Sequence, residues 1–283
     1  MSYLEQAGFG SAALIQTFDL RYDLLSALVE QWRPETHTFH FPCGECMMTL
    51  EDVALQLGLP IDKSPVTGVT VFTDLAALSN ATKGELMFVA RAYIMHILRG
   101  VLMLYANNNK VHMMYLPLLA DLSNVRSYSW SSAVLAVLYR ELFRTTNPSV
   151  VDMGRCLTLL YREVTHCPDI PTHDQTAYRG KAVIPLSVYV YSEMCCTSAP
   201  IINFNVVEWY HRDRVLRQFG YIQYIPDPPC EVGAVHGINK RGKSQLDWEV
   251  KHRKFVALWN DRMGRRPQMV MASDLQPSLE YLQ

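Results

Sequence analysis

The sequence has almost no net charge and no long uninterrupted apolar run. Lysine and arginine number 26 against 27 for aspartate and glutamate, which excludes a global attraction to nucleic acid or to an anionic membrane. The most apolar stretch, Phe88 to Tyr105, is interrupted by Arg91, His96 and Arg99. A lipid-facing helix tolerates such residues poorly, so no membrane span is predicted.

Cysteine is sparse and irregularly placed. The seven cysteines stand at positions 43, 46, 156, 167, 195, 196 and 230, an odd number without the regular spacing of a disulfide framework. The first ten residues lack the basic flank and apolar run of a secretory signal. We therefore expect reduced thiols in the cytosol or nucleus.

Several catalytic signatures are absent from the sequence. It contains no Gly-Asp dipeptide, which the metal-binding loops of metallophosphatases need. It also contains no G-x-S-x-G elbow and no H-E-x-x-H helix motif. These absences argue against a phosphatase, an α/β-hydrolase and a zinc protease.

Apolar residues are abundant in the sequence and recur at helical and strand-like spacing. Hydrophobic residues make up 49% of the chain, enough for a large core. Leucines and Val29 at helical spacing predict a helix at about 19–32 that Pro34 stops. Thr36 to Phe41 is predicted to pair with Cys46 to Thr49 in a hairpin across Pro42 to Glu45.

A helix with clear start and stop signals follows the hairpin. Thr49 and Asp52 have the spacing of a capping box, and Gly58 is placed to end the helix after Leu57. Further helices are predicted at about 85–106, 131–145, 151–165 and 247–263, a short helix at 213–219, and a strand at 201–210.

The predicted fold class is mainly α with a few short β-strands and hairpins, in a single compact helical domain. The proline-rich segment Pro226 to Pro229 marks a soft division between a main helical body, 1–225, and a C-terminal basic segment with a helix, 226–283. The residues expected in the core are Trp32, Phe39, Phe41, Leu57, Trp130, Leu138 and Trp209.

Four strings near the N-terminus resemble the opening of a known domain. They are WRPETHTFH at 32–40, PCGE at 42–45, TLEDVALQLGLP at 49–60 and PVTG at 65–68. This series is similar to the plant mobile domain of transposon-derived plant proteins. The resemblance continues through 91–103, 111–122, 128–142, 154–160, 207–229 and 247–262. The segments 69–85 and 166–200 are shorter than that family's pattern predicts.

The resemblance implies a role rather than a chemistry. Members of the family are expected to be nuclear proteins of transposon silencing, genome stability and meristem maintenance, working with a protein phosphatase 7-like partner and other silencing factors. It implies no catalysis and no cofactor. The family pattern places histidine directly after Glu-Trp, whereas here Tyr210 intervenes before His211, so no role is transferred to that histidine.

One segment fits the phosphate-loop pattern GxxxxGK[ST]. Gly237, Gly242, Lys243 and Ser244 occupy its fixed positions, and such a loop surrounds phosphates with backbone N–H groups. Only 39 residues follow Ser244, too few for the further βα units of such an enzyme. A solvated basic loop is the preferred interpretation, and nucleotide hydrolysis a distant alternative.

Four zinc-type ligands lie within ten residues: His37, His40, Cys43 and Cys46. Side chains alternate along a strand, so an extended segment would point His37 and His40 in opposite directions. The cysteines could still hold a metal with outside ligands such as His96 or His112. Packing of the hairpin is the preferred interpretation.

The helix predicted at 49–57 also resembles the first helix of a helix-turn-helix. A recognition helix would have to follow at once, and Pro60, Pro65 and Gly68 disfavour one. We therefore expect a core helix whose Val53, Ala54 and Leu57 face inward.

The C-terminal third carries a local basic excess. From Trp209 to Arg266 there are twelve lysines and arginines against six acids, interleaved with the aromatics Tyr210, Tyr221, Tyr224, Trp248 and Trp259. This is a candidate surface for DNA, RNA or an acidic partner; the alternative is a solvated face with internally paired arginines. The candidate contact residues are Arg212, Arg214, Arg217, Lys240, Arg241, Lys243, Lys251 and Arg253.

Overall fold

The computed structural model describes residues 3–15, 22–42, 44–70, 84–98, 102, 113–147, 197–219, 221–238, 245–265 and 269–270. Its α-helices are α1 Tyr3–Gln6, α2 Tyr22–Gln31, α3 Leu50–Leu57, α4 Gly84–Ile97, α5 Trp130–Thr145, α6 Trp248–Lys251 and α7 Arg253–Asn260. Its strands are β1 Trp32–Arg33, β2 Thr38–Phe41, β3 Gly44–Cys46, β4 Ala199–Asn203 and β5 Val206–Tyr210. Short 3₁₀ helices span Ala12–Leu14, Met113–Leu119, Val125–Ser127, Arg212–Phe219, Gly233–Val235 and Arg262–Arg265.

Helix α5 is the centre of the fold. Every residue from Trp130 to Tyr139 is buried, as expected for a helix surrounded by other elements on all sides. It packs against α3 on one side and against β4 and β5 on the other. The prediction of a helix at 131–145 is confirmed, and the mainly helical fold class with short antiparallel hairpins is confirmed with it.

The first sheet follows α2 directly. β1, β2 and β3 are antiparallel, with Trp32 opposite Phe39 and Phe41 opposite Gly44. The predicted helix and hairpin are confirmed, but the return strand is Gly44–Cys46, earlier than the predicted 46–49. The reason is that the turn takes only two residues, the commonest hairpin connection.

The capping signals of α3 are all used. The Thr49 side chain accepts a hydrogen bond from the Asp52 amide, and the Asp52 carboxylate accepts one from the Thr49 amide at 2.8 Å. Gly58 ends the helix in the left-handed region at φ 66°. Within the described stretch 58–70 no second helix follows, so α3 is a core helix, with Val53 and Leu57 buried.

The predicted single strand at 201–210 is wrong: the segment is a hairpin of β4 and β5. Asn203 lies opposite Val206, so Phe204 and Asn205 form the turn. Phe204 has φ 49°, a conformation that sequence reasoning does not anticipate for an aromatic residue. Both strands are buried along their whole length.

The two faces of this hairpin contact different elements. Ile201 and Val206 belong to the main core around α5. Ile202 and Val207 pack with Phe255 of α7 in a second, smaller cluster. The hairpin therefore forms a layer between α5 and α7.

The C-terminal helices are anchored in the main core. Trp248 and Trp259 are fully buried, and the Trp259 indole donates to the Lys63 carbonyl at 2.9 Å. The helix predicted at 247–263 is broken into α6 and α7 at His252, whose φ and ψ of −103° and 20° leave the helical region.

Other predictions are met in part. The helix predicted at 85–106 is confirmed as α4, with most of its last turns outside the described residues, and the helix predicted at 151–165 lies outside them entirely. The segment predicted as a short helix at 213–219 is 3₁₀ in form.

Six of the seven predicted core residues are buried; Phe41 is partly exposed and packs against the core. In the described part of the chain, no helix has the length and apolarity to cross a bilayer.

Candidate functional site

A fully buried carboxylate defines the candidate site. Side chains alternate along β5, so Glu208 points to the same side as Val206 and Tyr210, toward α5. Its exposed fraction is 0%. A charged group in such a position must be compensated by other charges and donors, since burying it alone costs far more than a fold can supply.

Three side chains surround that carboxylate, and together with Glu208 they form the Glu208 cluster. The Arg140 guanidinium of α5 donates from Nε to Oε1. The Nε2 atom of His236 lies 3.3 Å from Oε1, and that of His37 lies 3.2 Å from Oε2. Among the described residues, the Oε2 atom of Glu208 has no hydrogen bond of acceptable geometry. The Nε2 atom of His37 is therefore close to Oε2 but poorly aligned with it.

The cluster keeps Glu208 ionised. Burial by itself raises the pKa of this carboxyl group, but the adjacent imidazoles of His236 and His37 and the charge of Arg140 outweigh it and lower the pKa to about 2. An ionised carboxylate only accepts hydrogen bonds. At neutral pH Glu208 is therefore a fixed negative charge in the interior.

His37 reaches the cluster from a strained turn. Its φ of 55° is rare for a residue other than glycine. The imidazole stacks on Tyr139 with 5.0 Å between ring centroids, and on its other neighbour, His211, at 5.6 Å. Contacts with these two rings restrain the imidazole beside Glu208.

His211 is held neutral next to this stack. Burial, with the charges of His37 and Arg214 adding to it, lowers the pKa of His211 to about 3. Its Nε2 accepts a hydrogen bond from the Cys230 amide at 2.9 Å. His211 therefore ties the chain after β5 to the segment that contains Cys230.

A pocket of about 340 Å³ opens beside the Glu208 cluster. Glu208, His37 and His236 lie on its inner side, and a loop from Cys230 to Gly233 forms one wall. The remaining lining residues are Pro34, Glu35 and Phe143. The volume falls within the range of about 300–1,000 Å³ that small-ligand pockets occupy.

The chemistry available in this pocket is recognition of hydrogen-bond donors and of positive charge. Arg140, His37 and His236 all contact Glu208, so none of them is free to activate a nucleophile. Burial raises the pKa of the Cys230 thiol, the opposite of what a nucleophilic cysteine requires. The residues that remain available to a ligand are acceptors.

The candidate zinc ligands for which the structure gives contacts have separate partners. His37 lies against Glu208, whereas His40 lies 3.7 Å from Glu45 on the exposed side of the sheet. Cys46 is half-buried in β3, and Cys43 lies outside the described residues. Within the part of the chain that is described, no three histidine, cysteine or acidic side chains are arranged to hold a metal.

The phosphate-loop pattern lies mostly outside the described residues, which stop at Ile238 and resume at residue 245. The residues before it form a 3₁₀ turn, Gly233–Val235, in place of the strand that such loops follow. The Ile238 carbonyl accepts a hydrogen bond from the Asn205 side chain at 3.2 Å. Gly237 is thereby placed near the β4–β5 turn; Gly242, Lys243 and Ser244 are not described.

The predicted basic surface divides into buried and exposed members. Arg212 is a correction: it is fully buried, over the Phe219 ring at 3.3 Å and beside Glu51 at 3.5 Å. Arg214 is paired with Glu45 at 3.0 Å. Lys251 and Arg253 are exposed. Arg217 is half-buried, and Lys240, Arg241 and Lys243 lie outside the described residues.

The aromatic residues that alternate with these charges are largely core residues. Tyr210, Trp248 and Trp259 are buried, so they are not platforms on which a base could stack. Tyr221 and Tyr224 are half-buried. Among the described residues, the exposed basic patch near the α6–α7 junction comprises Lys251, Arg253 and Lys254.

Sequence reasoning missed three members of the Glu208 cluster: Glu208, Arg140 and His236. One signal was available, since the string from Val206 to Tyr210 places a single glutamate among apolar residues that predict a buried strand. A lone acid in such a strand needs a cationic partner. Nothing local in the sequence identifies that partner as Arg140, 68 positions away.

Comparison with known proteins supplies the family. The sequence model of the plant mobile domain matches residues 8–85, 70–162 and 171–283. The chain belongs to the plant mobile domain family. No solved structure is significantly similar to it.

Curated relatives come from Arabidopsis thaliana. The chain is 32% identical, over 91% of its own length, to "Serine/threonine-protein phosphatase 7 long form homolog", and spans 26% of that protein. It is 29% identical over 80% of its length to "Protein MAINTENANCE OF MERISTEMS", spanning 63% of it. It is 37% identical over 56% of its length to "Protein MAIN-LIKE 2". The chain thus spans less than two thirds of the length of these relatives.

The comparisons also bear on the two segments predicted to be short. The alignment with the phosphatase 7 long form homolog covers 345 positions, more than the 283 residues of the chain, so the relative carries additional residues between matched blocks. The family matches overlap at 70–85 and leave residues 163–170 unmatched. The location of the shortening in the segments 69–85 and 166–200 stays a prediction.

Proposed function

We propose that this plant mobile domain is a non-catalytic, nuclear protein-interaction and scaffold domain. It acts in transposon silencing, genome stability and meristem maintenance, together with a protein phosphatase 7-like partner. Family membership and the names of two relatives support the connection with meristem maintenance and with a phosphatase. The Glu208 cluster supports the absence of catalysis.

The proposal depends on one observation, which is that the buried ionisable groups contact one another. Arg140, His37 and His236 all contact one carboxylate. These contacts join β5 to α5, to the β1–β2 turn and to the segment that follows the 3₁₀ helix Gly233–Val235. Groups engaged in this way hold the interior together. A general base would instead have a pKa near the working pH, whereas the pKa of Glu208 is lowered to about 2.

Affinity purification from plant nuclei tests this proposal. The tagged chain is expected to recover a phosphatase of the protein phosphatase 7-like kind, identified by mass spectrometry, with tag alone as the control. A fluorescent fusion is expected in the nucleus. Repeated purifications without such a phosphatase, or a fusion excluded from nuclei, would contradict the proposal.

Nucleic-acid binding is the second candidate function. The observation that favours it is the exposed basic patch of Lys251, Arg253 and Lys254, because phosphate contacts by such residues supply sequence-independent affinity. Titration of DNA or RNA at several salt concentrations tests it. Affinity that does not fall with salt would exclude this function.

A further inference from the structure

The pocket beside Glu208 has a surplus of negative charge. Three carboxylates line it: Glu208 on the inner side and Glu35 and Glu231 on the rim. Glu35 and Glu231 are exposed, and neither forms an ion pair within the described part of the chain. Two arginines act near these carboxylates: Arg140 contacts the Oε1 atom of Glu208, and the charge of Arg265 reaches Cys230 in the pocket wall, so the three carboxylates outnumber these two cations. The pocket therefore attracts a positive charge.

The buried end of the pocket is incompletely satisfied. Glu208 is fully buried and its Oε2 atom lacks a well-aligned hydrogen bond among the described residues. The Nδ1 atom of His37 also lacks a partner there. A buried acceptor without a donor is costly. Because Oε2 itself is not accessible, a ligand in the pocket would meet the charge of Glu208 through the electric field and not through a direct hydrogen bond.

The walls suit an aliphatic chain that ends in a charge. Pro34, Val232 and Phe143 line the pocket, and apolar lining predominates over polar lining. Phe143 is 41% exposed, with one edge-to-face contact to His236 at 4.2 Å between centroids. Lysine and arginine stems pack along such surfaces while the charged end reaches acceptors or an aromatic face.

We propose that this pocket receives the side chain of an arginine or lysine from a partner peptide. The methylene stem lies along Pro34, Val232 and Phe143. The cationic end is held by Glu35 and Glu231 at the rim, and the buried negative charge of Glu208 adds to the attraction. This inference rests on the proposed interaction function and states the chemistry of the partner. A metal ion is a poorer occupant, since no three potential ligands in the described residues are arranged to coordinate one.

Labelled peptide pools test the proposal. Four pools have random flanking sequence and a fixed central residue, which is arginine, lysine, citrulline or norleucine, and binding to the purified chain is followed by fluorescence anisotropy. The arginine and lysine pools are expected to bind about tenfold more tightly than the two neutral pools. Their affinity is expected to fall as salt is raised.

Charge-neutralising variants locate the binding. The double variant Glu35→Gln with Glu231→Gln is expected to weaken binding of the cationic pools about fivefold. The matched control, Glu30→Gln with Glu249→Gln, removes two exposed carboxylates that do not line this pocket. It changes net charge equally and is expected to leave binding unchanged.

The outcomes separate this inference from the proposed function. Equal binding of citrulline and arginine pools, or equal weakening by both double variants, would overturn the pocket assignment. If that happens while the chain still recovers its phosphatase-like partner from nuclei, only the pocket assignment fails. If the cationic pools bind as expected but no such partner is recovered, only the proposed function fails.

Discussion

Arg140 of α5 donates to Glu208 of β5 in the interior of the fold, across 68 positions of sequence. The carboxylate is fully buried and the arginine side chain is 18% exposed. The same arginine also donates to the Val207 carbonyl at 3.3 Å. This contact fixes the position of the β4–β5 hairpin on the central helix.

Arg140→Ala is expected to destabilise the chain by about 2–4 kcal/mol, because it leaves a buried carboxylate without its full charge. The histidines of the Glu208 cluster limit the loss. The matched control is Arg144→Ala on the same helix, whose salt bridge to Glu141 involves a more exposed arginine, at 36%. That change is expected to cost at most about 1 kcal/mol. Urea denaturation measures both.

A loss at Arg140 no larger than the loss at Arg144 would show that Glu208 is not ionised in the folded chain. In that case burial would keep Glu208 protonated, and the double change Arg140→Met with Glu208→Gln would be about as stable as Arg140→Met. An ionised Glu208 would instead make the double variant clearly more stable than Arg140→Met. Urea denaturation of these two variants tests whether Glu208 is ionised.

Gly58→Ala is expected to destabilise by more than about 1 kcal/mol, the cost of a left-handed residue alone. The backbone there has φ 66°, and an added Cβ would lie 2.5 Å from the Cβ of Ser11. Ser11→Gly removes the obstructing atoms. Combining the two substitutions is expected to recover part of the loss, which thermal denaturation of the four variants measures.

If the double variant shows no recovery, the cost at Gly58 comes from backbone strain alone. The contact with Ser11 would then be relieved by a small movement of the N-terminal segment. The test therefore measures how firmly that segment is held against the end of α3.

Local signals in the sequence predicted local structure well. Thr49, Asp52 and Gly58 identified α3 to the residue because each acts on a backbone group within one turn. The central helix α5 was also predicted, at 131–145. Errors arose where a short turn interrupts an apolar run: Phe204 and Asn205 divide one predicted strand into β4 and β5.

The candidate site could not be predicted in the same way. Its members, His37, Arg140, Glu208 and His236, come from four separate elements and meet only in the folded chain. Net charge was equally uninformative, since Arg212 counts toward a basic surface in the sequence but lies in the core. Burial decides such cases, and burial is a property of the whole fold.

Stability is expected to fall as the pH drops below about 6.5. Burial lowers the pKa of His211 to about 3, from 6.5 in the unfolded chain. His252 shifts in the same direction, to about 4. Between these values the unfolded state binds more protons than the folded state, so the stabilisation present above pH 6.5 is lost on acidification.

The size and origin of this effect are measurable. Each histidine contributes a slope of at most about 1.4 kcal/mol per pH unit, read from urea denaturation at pH 7.5, 6.5, 5.5 and 4.5. His211→Gln keeps an acceptor for the Cys230 amide but removes the titration. It is expected to flatten the slope between pH 6.5 and 4.5, whereas an unchanged slope would assign the acid sensitivity elsewhere.

Arg212 and the exposed basic patch are expected to respond differently to substitution. Arg212→Ala removes a buried guanidinium from Phe219 and Glu51, so about 3 kcal/mol of stability should be lost. Lys251→Ala with Arg253→Ala removes exposed charges and should change stability by less than about 0.5 kcal/mol. Any nucleic-acid affinity should fall only in the second variant, with a salt slope smaller by about two. If Arg212→Ala instead remained fully stable and lost nucleic-acid affinity, Arg212 would have to reach the surface, contrary to its burial.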